Sequence, residues 1–400
     1  MTVGSFSVLI PCLLLNLAPV HSPAITINNP SPAAVGFGQS IDSAEGLLMV
    51  GANYETAFPS NDPPGQAWIF DAKTGSMIRT LVSPNPIHGG QFGWSVEIAR
   101  GLFIVGAPGE TVSGMGRAGR VYFFSVRTGA LVDTLVSPNA QPGGQFGWSV
   151  AESNGLLTVG APFETPNRDP GAGRVYLFNL ETRSLTGTLV SPSAQFMGEF
   201  GERTYISDDR VIVSAPGEDV VGRAYVFSTA TGALVSTLVT PNSGFRRIFA
   251  WSVALANQLA FVGSPSEDRV YVFNATTGSL IRTIIDPNTQ TSGAFGYSIA
   301  LWSYSLIVGA PVDFVNGVNA GRVYIFDAAT GTLTNTLDGP AASSHPNFGY
   351  SVDSTSRRVY AGAPTQTVNG QINVGAAYIF SSSIGHSHFG NSPPLDRVTL

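Results

Sequence analysis

Short apolar segments of four to eight residues recur along the chain, set between clusters of Gly, Pro, Asn, Ser and Thr. Residues 94–98, 102–105, 120–126 and 131–136 are one example. Each is rich in Val, Ile, Leu, Tyr or Phe and bounded by turn formers, which is the pattern of a β-strand. The run Leu102-Phe103-Ile104-Val105 is apolar without alternation, as expected of a strand covered on both faces. Thr128-Gly129 separates the third and fourth segments, and the same dipeptide recurs at Thr74, Thr231, Thr277 and Thr330. Glycine there supplies the positive φ of a tight hairpin turn.

The four-segment unit repeats. Phe-Gly-x-Ser-(Val/Ile) begins at Phe37, Phe92, Phe146, Phe295 and Phe348, with degenerate copies at Phe200 and Phe249, so the spacings are 55, 54, 54, 49, 46 and 53 residues. Seven such units, each a four-stranded antiparallel sheet, predict an all-β, seven-bladed β-propeller. A linear solenoid is the rival, but its coils are shorter and it needs capping repeats.

The two ends of the repeat predict how the ring closes. The seventh unit loses the pattern after Phe380, with no fourth segment, while Ile25-Thr26-Ile27-Asn28 lies 12 residues before Phe37. The same offset separates Thr134, in a fourth segment, from Phe146. The N-terminal strand therefore completes the last blade and removes two exposed edges. The propeller is expected over 25–380, followed by a tail at 381–400.

Composition agrees with this reading. Gly (46) and Pro (27) make up 73 of 400 residues, about 18% against roughly 12% in average usage. Charged residues are 12%, about half the usual share, as expected where no exposed helix carries Lys and Glu. A net charge of −6, with no basic run longer than Arg246-Arg247 or Arg357-Arg358, argues against a nucleic-acid partner.

Residues 1–22 read as an export signal, apolar over 6–18, with small residues at Ser22 and Ala24 for cleavage. The stretch lacks an N-terminal Lys or Arg, and it is shorter than the ~20 apolar residues of a spanning helix. Cleavage would remove Cys12, the single cysteine, and would leave no transmembrane anchor. A secreted, extracellular chain is expected, with Asn274-Ala275-Thr276 as a glycosylation sequon.

Two sets of residues are candidates for binding. An acidic residue follows the second segment in six units, at Glu55, Glu110, Glu164, Glu218, Glu267 and Asp313, with Gln366 in the seventh. It forms either a ring of carboxylates around the axis or a pair with the Arg that recurs at Arg120, Arg174, Arg223, Arg269 and Arg322. The joint recurrence favours the pair. Trp94, Trp148, Trp251, Tyr297 and Tyr350 occupy the variable position of the signature. They either stack on sugar rings or pack between blades. The loops at 109–119, 163–173 and 312–321 are long and polar, belong on the same face as loops such as 137–145, and suit a binding surface. Their unequal lengths favour one large protein surface over seven equal sugar pockets.

No catalytic or phosphate-binding signature is present. An enzyme built from axial carboxylates, a propeller hydrolase or lyase, is the remaining catalytic alternative.

Phe-Gly-Trp-Ser-Val at 92 with Ile-Val-Gly-Ala-Pro at 104, repeated six more times in variants, resembles the FG-GAP repeats of integrin α-subunit propellers. The resemblance spans Phe37 to about Phe380. It implies an extracellular, non-catalytic binding or adhesion module with a protein or glycan ligand. Calcium-binding repeats of that family carry an Asp-x-Asp-x-Asp-Gly loop between the first two strands. Here those loops read Ala99-Arg100-Gly101, Ser153-Asn154-Gly155, Ser207-Asp208-Asp209 and Ala256-Asn257-Gln258. They are short of the six to eight oxygens that calcium takes. No cofactor is expected, and these loops do not support calcium.

Overall fold

A computed structural model describes residues 25–31, 34–55, 64–219, 221–242, 249–289, 292–339 and 346–381. Residues 1–24, read from the sequence as an expected export signal, the residues after Ser381, His345 and the pair Arg246-Arg247 lie outside them. The described residues form seven four-stranded antiparallel sheets and contain no helix, as the repeat predicts.

The second blade is representative. Its strands, from axis to rim, are Ser95–Ala99, Leu102–Ala107, Arg120–Ser125 and Leu131–Val136. A two-residue turn joins the first pair, with Ala99 opposite Leu102. The Thr-Gly turn joins the last pair, with Gly129 at φ 70° and a register shift between Phe123 and Phe124. The same shift recurs in every blade whose third and fourth strands are consecutive.

The core lies between the blades. Seven separate apolar clusters each draw on two neighbouring blades. The signature phenylalanine sits in the middle of each and is at most 1% exposed. Phe92 meets Tyr122 and Phe124 of its own blade at ring-centroid distances of 5.8 and 6.0 Å. It packs in the same cluster as Met49, Ile69 and Leu81 of the blade before.

The rest of the signature makes the joint. The Ser40 hydroxyl donates to the Gly93 carbonyl of the next blade at 2.7 Å, and Ser95, Ser149, Ser252, Ser298 and Ser351 repeat the bond. At the same joint, Gly51 of the first blade lies so near Gly93 that a Cβ on Gly51 would stand 2.1 Å from the Gly93 carbonyl oxygen. Glycine in Gly-Ala-Pro is thus required by the close approach of two backbones.

One joint departs from the rule. In the fourth blade Arg203 replaces the signature serine and Ser214 replaces the glycine opposite it. The hydroxyl has crossed the strand pair: Ser214 Oγ now accepts the Arg203 amide at 2.8 Å. The next blade has Ala250 at φ 65° where glycine is the rule. The two degenerate signatures therefore adjoin one joint, at which the hydroxyl has moved to the second strand and an arginine stands in its former place.

Ring closure follows the sequence expectation. Ile25–Asn28 pairs antiparallel with Ala376–Ser381, with Ile25 opposite Ile379 and Asn28 opposite Ala376. Ile27 is buried in the cluster between the seventh and first blades.

Candidate binding face and axial mouth

Two sets of loops share one end of the propeller: those between second and third strands, and those between consecutive blades. They are tied to each other by backbone bonds. Gly143 donates to Gly116 at 2.9 Å, Met197 to Pro170 at 2.9 Å, and Gly217 to Gly198 at 3.2 Å. Among the described residues the loop between the third and fourth blades thus bridges the two, and the bonded loops form an interlocked surface. Phe196 is 70% exposed on it and Ile372 is 71% exposed, with Phe314 and Val318 exposed on the hairpin of the sixth blade. Sequence reasoning did not single out these four.

At the centre of this face opens an axial channel of about 1040 Å³, walled by the seven first strands. The variable signature residues gather at its mouth. Trp94 and Trp148 are 4.2 Å apart between ring centroids, Trp251 and Tyr297 5.4 Å, and Tyr297 and Tyr350 4.7 Å. These contacts run from blade to blade, so the aromatics pack between blades; Trp94, Trp148, Tyr297 and Tyr350 also border the channel, and Trp251 does not line it. In the gap between Trp148 and Trp251 stand Glu202 and Arg203, paired at 3.4 Å, with the Arg203 guanidinium over the Trp251 ring. Burial pushes the Glu202 carboxyl above the usual carboxylate range, against the pull of Arg203 and Trp148. The repeat pattern offers no sign that Arg203, at a serine position, projects into this belt.

Below the mouth, Asp353 and Asp42 hold the joints between inner strands. Asp353 Oδ2 accepts the Ser43 amide at 2.7 Å, and Asp42 Oδ2 accepts the Ile98 amide at 2.7 Å. Each carboxylate satisfies a backbone donor on the neighbouring blade's first strand, which has a sheet partner on one side only.

The recurring acids occupy a different place. Glu110, Glu164, Glu218 and Asp313 are fully buried and are not part of the channel wall. Each accepts the hydroxyl of a tyrosine on the third strand of its own blade: Tyr122, Tyr176 (2.5 Å), Tyr225 and Tyr324 (2.5 Å). Glu110 and Glu164 also accept Ser83 and Ser137, which begin the loop arriving from the previous blade. The expected arginine pairs exist as longer contacts, 3.4 Å for Arg120–Glu110, 3.3 Å for Arg174–Glu164 and 3.7 Å for Arg322–Asp313. Arg223 pairs with Asp219. Burial raises the Glu110, Glu164 and Glu218 carboxyls, and the hydroxyl and arginine partners oppose it. The arrangement is a clasp holding a blade to the loop that enters it. Glu267 makes the same tyrosine bond, to Tyr271 at 2.5 Å, and Gln366 receives Tyr378 at 2.5 Å. The side chain of Glu55 lies outside the described residues.

Asn274 sits at the end of a third strand, on the opposite face. Its Oδ1 accepts the amides of Thr276 and Thr277 at 2.9 Å and shapes the hairpin turn, as Asp71, Asn179 and Asp327 do elsewhere. The turns between first and second strands, where the family loop would hold calcium, are two-residue hairpins. Among the described residues no group of three or more His, Cys, Asp and Glu is placed to hold a metal ion.

A family model described as "FG-GAP repeat" matches residues 131–178 and 279–326. That match is to the repeat and adds no support for a relation to integrin α-subunits. No curated protein matches the sequence. A chain in the solved structure titled "Crystal Structure of Mitotic Checkpoint Complex" is similar with a TM-score of 0.59 and 13% identity, covering 96% of this chain and 99% of that one. At that identity the likeness is one of fold alone.

Proposed function

We propose that this FG-GAP-repeat propeller is a secreted, non-catalytic binding module that recognises an extracellular protein or matrix ligand through its loop-rich face. An FG-GAP propeller suits a binding role, and one observation carries the finer reading. Loops of unequal length interlock on one face and expose Phe196, Phe314, Val318 and Ile372 around an aromatic mouth. Exposed apolar side chains on a rigid, rimmed surface are the usual mark of a protein contact. The recurring acids are closed into clasps away from the channel, so they do not supply the axial general acid that the hydrolase alternative placed on them.

A glycan ligand is the second reading. The aromatic belt favours it, since sugar rings stack on the faces of Trp and Tyr. The belt forms one central site, so the reading becomes a single axial glycan site.

The test is binding of the purified chain to panels of matrix proteins and glycans, with Phe196→Ser/Ile372→Ser set against Tyr304→Ser on the opposite face. Loss of a matrix-protein signal in the first variant alone supports the proposal. Sugar binding that survives this variant and is lost in Trp94→Ala favours the glycan reading.

A further inference from the structure

We infer that Asp286 and Asp313 hold one proton between them at the junction of the fifth and sixth blades, and that this proton makes the junction tighter in acidic than in neutral surroundings. The other junctions serve as internal controls. At four of them Ser83, Ser137, Ser191 or Thr240, one or two residues past the outer strand, faces a glutamate. Ser83 donates to Glu110 at 2.5 Å, and Thr240 contacts Glu267 at 3.5 Å. A hydroxyl donor thus meets a carboxylate acceptor.

At the fifth junction both partners change. Asp286 replaces the hydroxyl and Asp313 replaces the glutamate; Asp286 is 3% exposed and Asp313 fully buried. A methyl built on Gly293 would stand 3.0 Å from Asp286 Oδ2 and 3.2 Å from the Asp313 carboxyl carbon, so the two carboxyls converge on one point. Asp313 is well supplied with donors. Tyr324 reaches Oδ2 at 2.5 Å, and Asn288 and the Phe314 amide reach Oδ1 at 2.5 and 2.7 Å. Asp286 has the Asn288 amide on Oδ1 at 2.8 Å, but its buried Oδ2 has no hydrogen-bond partner.

The charges around the pair add to its strain. Asp268 faces it from the fifth blade. Arg322 approaches the pair at 3.7 Å from Asp313 Oδ2, and Asp338 already holds it at 2.8 Å. Two buried carboxylates cannot both ionise cheaply beside one shared arginine. A protonated Asp286 becomes the donor that serine supplies at the other joints. Burial above all, then Asp313 and Asp268, push Asp286 up to about 6 from an ordinary 3.8, against the Asn288 amide and the Tyr324 hydroxyl.

The sign follows from linkage. A carboxyl raised in the folded state stabilises the fold fully below its unfolded value and loses that contribution as pH rises through the folded one. The window therefore runs from about pH 4 to above pH 6. Other buried carboxylates titrate in the same direction, so the test is a difference. Unfolding midpoints of the full chain, Asp286→Asn and Asp286→Ser are compared across that range. The expected result is that both variants gain several degrees on the unsubstituted chain as pH rises through the window. Hydrogen-exchange protection, taken relative to the intrinsic rate at each pH, should fall over the same range in peptides covering 286–289 and 312–321 of the unsubstituted chain only. A stability difference that does not change with pH, or one that moves against the variants as pH rises, overturns the proposal. If neither variant folds, the carboxylic-acid infrared band of the unsubstituted chain labelled with 13C-aspartate, which separates aspartic acids from the buried glutamic acids, decides. Loss of a buried acid band with a midpoint near 6 supports the pair, and its absence at pH 5 overturns it.

Discussion

The Ser351 hydroxyl donates to the Gly38 carbonyl at 2.7 Å, which joins the last blade to the first by the bond that joins five other neighbouring pairs. The ring is thus closed twice: by this hydroxyl at the axis and by the strand Ile25–Asn28 at the rim. Deleting 25–28 removes a buried Ile27 and leaves the edge of Ala376–Ser381 open. A loss of roughly 3 kcal/mol or more is expected, from about 1.5–3 kcal/mol for the isoleucine plus the strand's ladder bonds. Denaturant unfolding measures it. An unchanged midpoint would mean that the rim strand does not close the ring.

The exchanged joint in the fourth blade predicts coupling. Ser214→Gly alone removes the acceptor of the Arg203 amide, and Arg203→Ser alone crowds a second hydroxyl against Ser214. The double variant restores the pattern of the other joints. Each single change should destabilise by about 1 kcal/mol or more, and the pair should cost less than the sum. Additive effects in a double-mutant cycle would refute the exchange.

The clasp predicts a different ranking from the ion pair that the sequence suggested. Tyr122→Phe takes a hydroxyl from the fully buried Glu110 and should cost about 1–3 kcal/mol. Arg120→Ala removes a longer contact from a half-buried arginine and should cost less, under about 1 kcal/mol. Thermal unfolding of the two variants decides which partner matters more.

These cases mark where the sequence could be read and where it could not. Blade count and closure were legible because Phe, Gly and Ser each answer a geometric need that recurs at every joint. The clasp was half legible. Glutamate and arginine recur together in the sequence, whereas nothing there sets Tyr122, two residues beyond Arg120, apart from the other strand aromatics. Alternation along the strand puts the two side chains on one face, and only the tyrosine is long and buried enough to satisfy the acid. The axial mouth was hidden for another reason. Trp94 and Trp148 stand 54 residues apart, and only ring closure reveals that equivalent positions converge on the axis.

Buried carboxylates also predict the response to mild acid. Glu110, Glu164, Glu218 and Glu202 are all raised by burial, so the folded chain takes up protons before the unfolded one. Their contribution is complete below the ordinary carboxylate value and declines as pH rises through the raised values. The melting temperature should therefore hold or rise between about pH 7 and about pH 5. A steady fall over that interval would show that these groups are ionised and satisfied in the fold.

Surface plasmon resonance against immobilised matrix proteins tests whether the loop-rich face binds an extracellular macromolecule. The unsubstituted chain should give saturable binding to at least one of them, with no turnover of the ligand. Phe196→Ser/Ile372→Ser should weaken that binding at least tenfold, about 1.4 kcal/mol, while keeping the melting temperature, and Tyr304→Ser should leave it unchanged. Binding that survives the loop-face substitutions and is lost in Tyr304→Ser would contradict the account.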